Sequence, residues 1–168
     1  MLSFRYQIEL GKGWIYLEKK VFGSDGLLGL DYGNMSYSDA VKKITVQHLL
    51  EQTDGWGSSL PEDCSNVKKN IDQKDYIDCM LDDATNDPNF SPGTKWRISS
   101  FGYVLLGRII EKLAKITDQK MTYKRYVRKK VLKACGATNL YIGRAKVILH
   151  KLRSGISLVE QDTFGYVS

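Results

Sequence analysis

A serine and a lysine three positions apart are the first candidates for nucleophilic chemistry in this chain. Ser65 and Lys68 stand in the sequence Ser-Asn-Val-Lys. A serine hydroxyl is a poor nucleophile at neutral pH, so it needs a base within hydrogen-bond reach, which the lysine of such a pair supplies. Serine and lysine are both common in this chain, and one such pair is therefore expected by chance.

Other side chains that could do chemistry are a histidine near the C-terminus and a group of carboxylates. His150 has no carboxylate at helical spacing to orient its ring. The acidic residues between Asp72 and Asp83 match no calcium-binding loop and lack the glycine that such a loop requires. We interpret them as the solvated face of a helix, and we expect neither a metal nor another cofactor.

The most informative pattern lies at residues 92–107, which read Pro-Gly-Thr-Lys-Trp-Arg-Ile-Ser-Ser-Phe-Gly-Tyr-Val-Leu-Leu-Gly. The Pro-Gly pair predicts a tight turn, and Ser99 or Ser100 can cap the helix that follows. Apolar residues then recur at helical spacing, which predicts a buried stripe. Its members are Tyr103, Leu106, Ile109, Ile110, Leu113 and Ile116.

Three further helices are predicted from capping residues and apolar spacing. Thr45 caps the first, with Val46, Leu49 and Leu50 on one face. Asp72 caps the second, with Tyr76, Ile77, Met80 and Leu81 inside and Asp75, Asp78, Asp82 and Asp83 outside. Thr122 starts the third, with Tyr123, Tyr126, Val127 and Val131 inside and Lys124, Arg125, Arg128 and Lys129 outside, and Gly136 ends it.

The remaining segments predict short strands and a loop. Residues 2–10 form a helix or a strand, residues 14–17 a short strand, and residues 140–142 another. Residues 21–37 are rich in glycine, serine and aspartate but also contain leucines and aromatic residues. These apolar side chains must pack somewhere, so we expect an ordered loop.

Composition places the chain among single globular domains. It has 168 residues, 42% of them hydrophobic, and a net charge of +6, with acidic residues between 51 and 87 and basic residues between 120 and 153. Cys64, Cys79 and Cys135 are too few and too scattered for a disulfide framework, so free thiols in a reducing compartment are expected. No secretory signal or membrane span is present in the sequence, so the location is unknown and cytoplasmic by default.

Several blocks in a fixed order resemble the penicillin-recognising serine hydrolases, specifically beta-lactamase-related proteins close to class C beta-lactamases. They are residues 21–23, 44–55, 92–107, and 126–127 through 135–139, and the resemblance spans residues 9–143. Such enzymes use the serine of S-x-x-K as nucleophile, with its lysine and the tyrosine of Y-x-N moving the proton. A K-T-G or H-x-G element lines the far wall of the pocket. The resemblance also implies that His48 has a packing and hydrogen-bonding role.

The resemblance implies that all three catalytic elements are missing or altered. The Y-x-N tyrosine falls on Ile98, its middle residue on Ser99 and its asparagine on Ser100, where a helix cap is the simpler role. The S-x-x-K element falls upstream of Met1, whereas Ser65 follows the 44–55 block instead of preceding it. After Gly143 the sequence departs from the family before any K-T-G or H-x-G. No catalytic residue is therefore expected to be intact.

The expected fold is mainly α, an α+β fragment: the helical portion of a beta-lactamase/transpeptidase-like fold with short strands near the ends. Residues 1–143 would form a partial beta-lactamase-related domain, and residues 144–168 a divergent C-terminal tail. A helical layer without most of its sheet exposes its inner stripe, so marginal stability or self-association is expected.

The hypothesis from the sequence is a beta-lactamase-related serine-hydrolase domain fragment that is catalytically inactive. One alternative is a part of a longer active serine hydrolase, of peptidase, esterase or lactamase type, acting on a small molecule or a peptide. A second is a basic module that binds anionic partners, nucleic acid or a membrane surface, through residues 124–130. A specific nucleic-acid partner is not expected, because the family segment at this position simply carries its charges outside.

Overall fold

The computed structural model describes residues 7–10, 13–33, 36–57, 64, 73–82, 87–137 and 140. These residues are mostly helical. A hairpin of strands β1 (Gln7–Leu10) and β2 (Gly13–Tyr16) precedes helices α1 (Asp39–Lys43), α2 (Val46–Leu50), α3 (Gln73–Asp82), α4 (Ser100–Thr117) and α5 (Tyr123–Val127). A π-helical segment, Arg128–Leu132, continues α5. The strand predicted at residues 140–142 lies outside the described residues except for Leu140, which has no regular structure.

The chain divides into two compact units, Met1–Leu113 and Ala114–Ser168. The core of the first unit is centred on Phe101, which is fully buried. Its ring packs edge-on against Trp56, with 4.7 Å between ring centroids, and against Tyr76 at 5.8 Å. Aromatic pairs in this edge-to-face arrangement contribute beyond the apolar area that they bury. Helices α3 and α4 therefore meet at this aromatic cluster.

Helix α3 buries the face that its sequence predicts. Tyr76, Ile77 and Met80 are buried, and Leu81 packs against the core. On the opposite side, Asp78 also accepts a hydrogen bond from the Gly33 amide at 2.9 Å. The predicted cap, Asp72, lies outside the described residues.

Helix α4 buries a different face from the predicted one. Of the expected stripe only Ile109 is fully buried, Leu106 and Leu113 pack at the edge of the core, and Tyr103 and Ile116 are 59% and 78% exposed. The buried residues are instead Phe101, Val104, Leu105 and Ile109, with two glycines. This prediction was wrong because the first turns of the helix are apolar on nearly every side, so periodicity alone does not fix the buried face.

The loop 21–33 is ordered, as predicted from its apolar residues. Val21, Phe22 and Leu28 are fully buried. The loop is also tied to α4, because the Lys112 ammonium donates to the Leu28 carbonyl at 3.1 Å and to the Asp31 carboxylate at 2.8 Å.

Helix α2 begins at its predicted cap. The Thr45 hydroxyl accepts a hydrogen bond from the His48 amide, and the His48 ring accepts one from the Thr45 amide, which makes a reciprocal capping box. Val46 and Leu49 are buried as expected, whereas Leu50 is 41% exposed.

In the second unit, Thr122 caps α5 and Gly136 ends the helical run, as predicted. Gly136 has a φ of +74°, and the amides of Gly136 and Ala137 bond the carbonyls of Lys133 and Leu132. This pairing is a Schellman motif, which needs a left-handed residue at its end. The expected inner face is not buried: neither α5 nor the π-helical segment has a buried residue, and Val131 is 46% exposed.

The expectation of free thiols is wrong for two of the three cysteines. Cys64 and Cys79 form a disulfide that joins a buried position before α3 to the helix itself. Disulfides persist mainly in oxidising environments, so the cysteine count no longer supports a reducing compartment. Only Cys135 is a free thiol, and it is exposed.

We expect that opening this disulfide destabilises the first unit. The bond closes a loop with a sequence separation of 15 residues. Cross-linking such a loop removes entropy from the unfolded chain worth about 3 kcal/mol. Cys79→Ser should lower the free energy of urea unfolding by roughly that amount, and reductant should have no further effect on the variant. Cys135→Ser is the matched control, and an equal loss in both variants would contradict this role for the bond.

Candidate functional site

Two of the segments that carry the family resemblance, residues 44–55 and 92–107, lie side by side in the first unit. The Gly93 amide donates to the Thr53 carbonyl at 2.8 Å, and the Phe90 amide donates to the Gly55 carbonyl at 3.3 Å. Gly55 has a φ of +98°, and a Cβ atom there would lie 2.2 Å from the Phe90 carbonyl oxygen. Only glycine allows the two backbones to approach this closely.

The predicted turn at Pro92 is confirmed. The Thr94 amide bonds the Ser91 carbonyl at 3.2 Å, and Gly93 has a φ of +82°. Proline at the second position and glycine at the third are the residues that a type II turn requires. The turn also packs against His48, whose Nε2 atom would lie 3.0 Å from a Cβ at Gly93.

Gln52 holds the segment that leads into α4. Its backbone carbonyl accepts a hydrogen bond from the Arg97 amide at 2.9 Å, and its side-chain Oε1 accepts one from the Ser99 amide at 2.6 Å. Its side-chain amide also donates to the Ser99 carbonyl at 3.5 Å. Gln52 is itself buried and has a φ of +57°. One residue thus holds the backbone on both sides of Ile98.

The three positions expected to match Y-x-N have three different environments. The Ile98 side chain is 59% exposed. Ser99 is fully buried, and its Oγ accepts a hydrogen bond from the Gly102 amide at 3.0 Å, so Ser99 is the cap of α4. Ser100 is the first residue of α4 and is exposed. The cap role expected for Ser99 or Ser100 therefore belongs to Ser99.

Asp54 is a buried acid that the sequence did not indicate. Its Oδ1 accepts a hydrogen bond from the Trp56 amide at 3.0 Å, whereas Oδ2 has no hydrogen-bond partner within the described part of the chain. That oxygen lies against α4, because a Cβ at Gly102 would be 2.3 Å from it. The sequence Thr-Asp-Gly reads as an exposed turn, so no local signal reveals this burial.

Burial raises the pKa of the Asp54 carboxyl above its ordinary value of 3.8, and the Trp56 amide and the Ser99 hydroxyl oppose that increase. A carboxylate that loses water and gains few donors favours its protonated form. The buried carboxyl beside Ser99 therefore holds its proton more tightly than an exposed aspartate does.

His48 has the packing and hydrogen-bonding role that the sequence indicated. Its Nδ1 accepts a hydrogen bond from the Thr45 amide at 3.3 Å, so in the neutral ring the proton lies on Nε2. Burial lowers the pKa of His48, against the opposing charges of Glu51 and Asp54. The ring is thus a neutral capping group.

The description of this site does not extend to the other candidate residues. Ser65, Lys68 and His150 lie outside the described residues. Among the residues that the structure does describe, no group of three or more histidine, cysteine or acidic side chains is arranged to hold a metal ion. The described helices also include none that is both long and apolar enough to span a bilayer.

Comparison with known proteins identifies the family of this chain. The family model named Beta-lactamase matches residues 26–158. The chain belongs to the Beta-lactamase family. The match contains α2, the Pro92 turn, Ser99 and all of α4, so the geometry described above is that of a beta-lactamase-family chain.

The curated relatives of this beta-lactamase-family chain are distant and much longer. Protein flp of Staphylococcus aureus, strain NCTC 8325 / PS 47, is 26% identical over 77% of this chain and 26% of its own length. Protein flp of strain MRSA252 is 29% identical over 62% of this chain and 19% of its own length. The chain thus spans about a quarter of the length of the curated relatives that it matches.

One solved structure is also similar to this chain. It is the octameric penicillin-binding protein homologue from Pyrococcus abyssi, which is 25% identical. The two chains superpose with a TM-score of 0.49 over 70% of this chain and 27% of the other.

We expect stability to depend on pH through Asp54. Burial raises the pKa of Asp54 in the folded state, so the protonated carboxyl favours folding. This contribution to the free energy of unfolding is complete below pH 3.8 and is lost as the pH rises through the folded-state pKa. Relative to Asp54→Asn, the wild-type free energy of urea unfolding should therefore fall as the pH rises above 3.8. The comparison with Asp54→Asn largely cancels the titration of His48, which both proteins contain.

The control for this measurement is Asp39→Asn, because the Asp39 side chain is 93% exposed. That variant should follow the wild-type pH profile. If Asp54→Asn also follows the wild-type profile, burial does not raise the pKa of Asp54.

Proposed function

We propose that this chain is a serine-hydrolase-like segment of the Beta-lactamase family that has no hydrolytic activity of its own. The observation that carries the proposal is Ile98, an exposed aliphatic residue between two backbone positions that Gln52 holds. By the family resemblance this is the position of the proton-transferring tyrosine. An isoleucine side chain neither accepts nor donates a proton, so that function is lost at this position.

The neighbouring serines do not replace the missing group. The Ser99 hydroxyl is fully buried and accepts the Gly102 amide, which makes it a structural cap. Ser100 is exposed on the first turn of α4, but within the described residues it makes no hydrogen bond to a basic side chain. A serine hydroxyl without a positioned base is a weak nucleophile at neutral pH. These contacts support an inactive site.

A second candidate function is a part of a longer active serine hydrolase. Its support is the length comparison, because this chain covers about a quarter of Protein flp. In that case the nucleophile and the far wall of the pocket would come from other segments. Ile98 would still reduce turnover, since a positioned proton-transfer group contributes roughly a hundredfold or more to the rate.

The decisive experiment is labelling of this chain with a fluorophosphonate probe, combined with hydrolysis of a chromogenic lactam. We expect no labelled serine by peptide mapping and no turnover above that of a heat-denatured sample. Stoichiometric labelling of Ser99, Ser100 or Ser65 would overturn the proposal. For the second candidate, Ile98→Tyr in the longer protein should raise the rate by roughly a hundredfold, with Ile116→Tyr as the control.

We also propose that a surface formed by Trp96 and Ile98 drives self-association. Lys95 and Arg97 lie over the Phe90 ring, while Trp96 and Ile98, which alternate with them, are 66% and 59% exposed. Adjacent large apolar side chains on a surface mark a contact face.

Trp96→Lys should shift the sedimentation-velocity profile of this chain toward the monomer. Leu30→Lys is the matched control, because Leu30 is 68% exposed in the loop before α1 and should leave association unchanged. A wild-type chain that stays monomeric at concentrations of about 100 μM, well above the micromolar range of weak interfaces, would exclude this surface as a contact face.

A further inference from the structure

The second unit has a strong excess of positive charge in its described part. Residues 114–137 contain eight lysines and arginines and a single acid, Asp118. Asp118 pairs with Arg125 at 3.8 Å. Six of the exposed basic side chains lie within residues 124–133, and we name the surface that they form the basic ridge. Its members are Lys124, Arg125, Arg128, Lys129, Lys130 and Lys133.

The basic ridge is held on a continuous helical backbone. Thr122 caps α5 through the Arg125 amide, the π-helical segment follows without a break, and the Schellman motif at Gly136 ends the run. Neither helical element has a buried residue. The positive side chains are therefore displayed toward solvent by a defined scaffold, and together they create a positive potential that attracts external anions.

We infer that the basic ridge is a docking surface for the anionic lipid headgroups of a bilayer. Clustered lysine and arginine side chains on a short helix are attracted to anionic lipids within about one Debye length of the surface. An exposed apolar residue beside the basic ridge, Val131, favours a bilayer over a nucleic acid as the partner. Val131 lies between Lys130 and Leu132 and is 46% exposed, although apolar side chains in a charged segment usually turn inward.

An exposed valine among lysines has a physical use at a membrane surface. The lysines would contact phosphate groups while the valine enters the boundary between headgroups and acyl chains, which is how amphipathic surface segments bind. A nucleic-acid backbone offers only phosphates and sugars to such a segment, so the valine would remain in water there. The inference concerns the second unit alone and does not depend on whether the first unit has hydrolase activity.

The experiment uses the whole chain with a fluorophore on Cys135. Cys64 and Cys79 are joined in the disulfide, so the exposed Cys135 is the single free thiol if reductant is omitted. We expect a blue shift of an environment-sensitive label with phosphatidylcholine vesicles that contain 30% phosphatidylserine, and none with pure phosphatidylcholine. Raising the salt from about 0.05 M to about 0.5 M should weaken binding strongly, because screening shortens the range of the attraction.

Two double variants that lose the same charge distinguish binding through the basic ridge from binding that depends only on the net charge of the chain. Lys129→Gln/Lys130→Gln should lower the vesicle partition coefficient roughly tenfold. Lys42→Gln/Lys43→Gln removes the same charge from exposed positions of α1 and should leave the coefficient unchanged. Val131→Ser should weaken binding while preserving every charge. Circular dichroism checks that each variant is folded, and Lys124→Gln/Lys133→Gln replaces the first variant if it is not.

Three outcomes would overturn the inference. The first is equal binding to both vesicle compositions, and the second is an equal loss of binding in the two double variants. The third is tighter binding to a short DNA duplex than to the anionic vesicles at the same salt concentration, which would assign the ridge to nucleic acid.

Discussion

Gln52 is the residue on which the geometry of the candidate site depends. Its backbone has a left-handed φ of +57°, which is unfavourable for a residue with a side chain. Hydrogen bonds to Arg97 and Ser99 stabilise that conformation, and they also fix the backbone that presents Ile98. Strained positions persist where several contacts determine them together, and Gln52 is such a position.

The contacts of Gln52 connect the site to the core. Because Ser99 is held by Gln52, its hydroxyl can cap α4 through the Gly102 amide. Capping in turn places Phe101 between Trp56 and Tyr76. The candidate site and the aromatic cluster are therefore parts of one packed assembly, and the cap serine is more important for structure than for chemistry.

The candidate site buries a polar side chain and exposes an apolar one. A polar carboxyl, Asp54, is buried beside Ser99 with one oxygen unpaired within the described residues, and an apolar side chain, Ile98, is on the outside. Catalysis at a serine requires reachable groups that exchange protons and donors that face the reacting carbonyl. The chain belongs to the Beta-lactamase family, and the contacts at these positions support the proposal that they stabilise the fold instead of a transition state.

Much of the local structure could be predicted, whereas long-range packing could not. The buried face of α3 was predicted correctly because the apolar and the acidic residues lie on opposite sides of this helix. The α4 face was predicted wrongly because Phe101, Tyr103, Val104 and Leu105 offer apolar surface in every direction. The inward orientation expected for Val131 was also wrong: this side chain is 46% exposed, and neither α5 nor the π-helical segment has a buried residue.

The family blocks, the Pro92 turn, the caps at Thr45 and Thr122 and the end at Gly136 could all be read from the amino-acid sequence. These features depend on residues that are at most a few positions apart, so local chemistry specifies them. The buried face of α4, the burial of Asp54 and the pairing of Cys64 with Cys79 became visible only in the folded chain. Those outcomes depend on which distant side chains share one core, and local sequence patterns do not encode that choice.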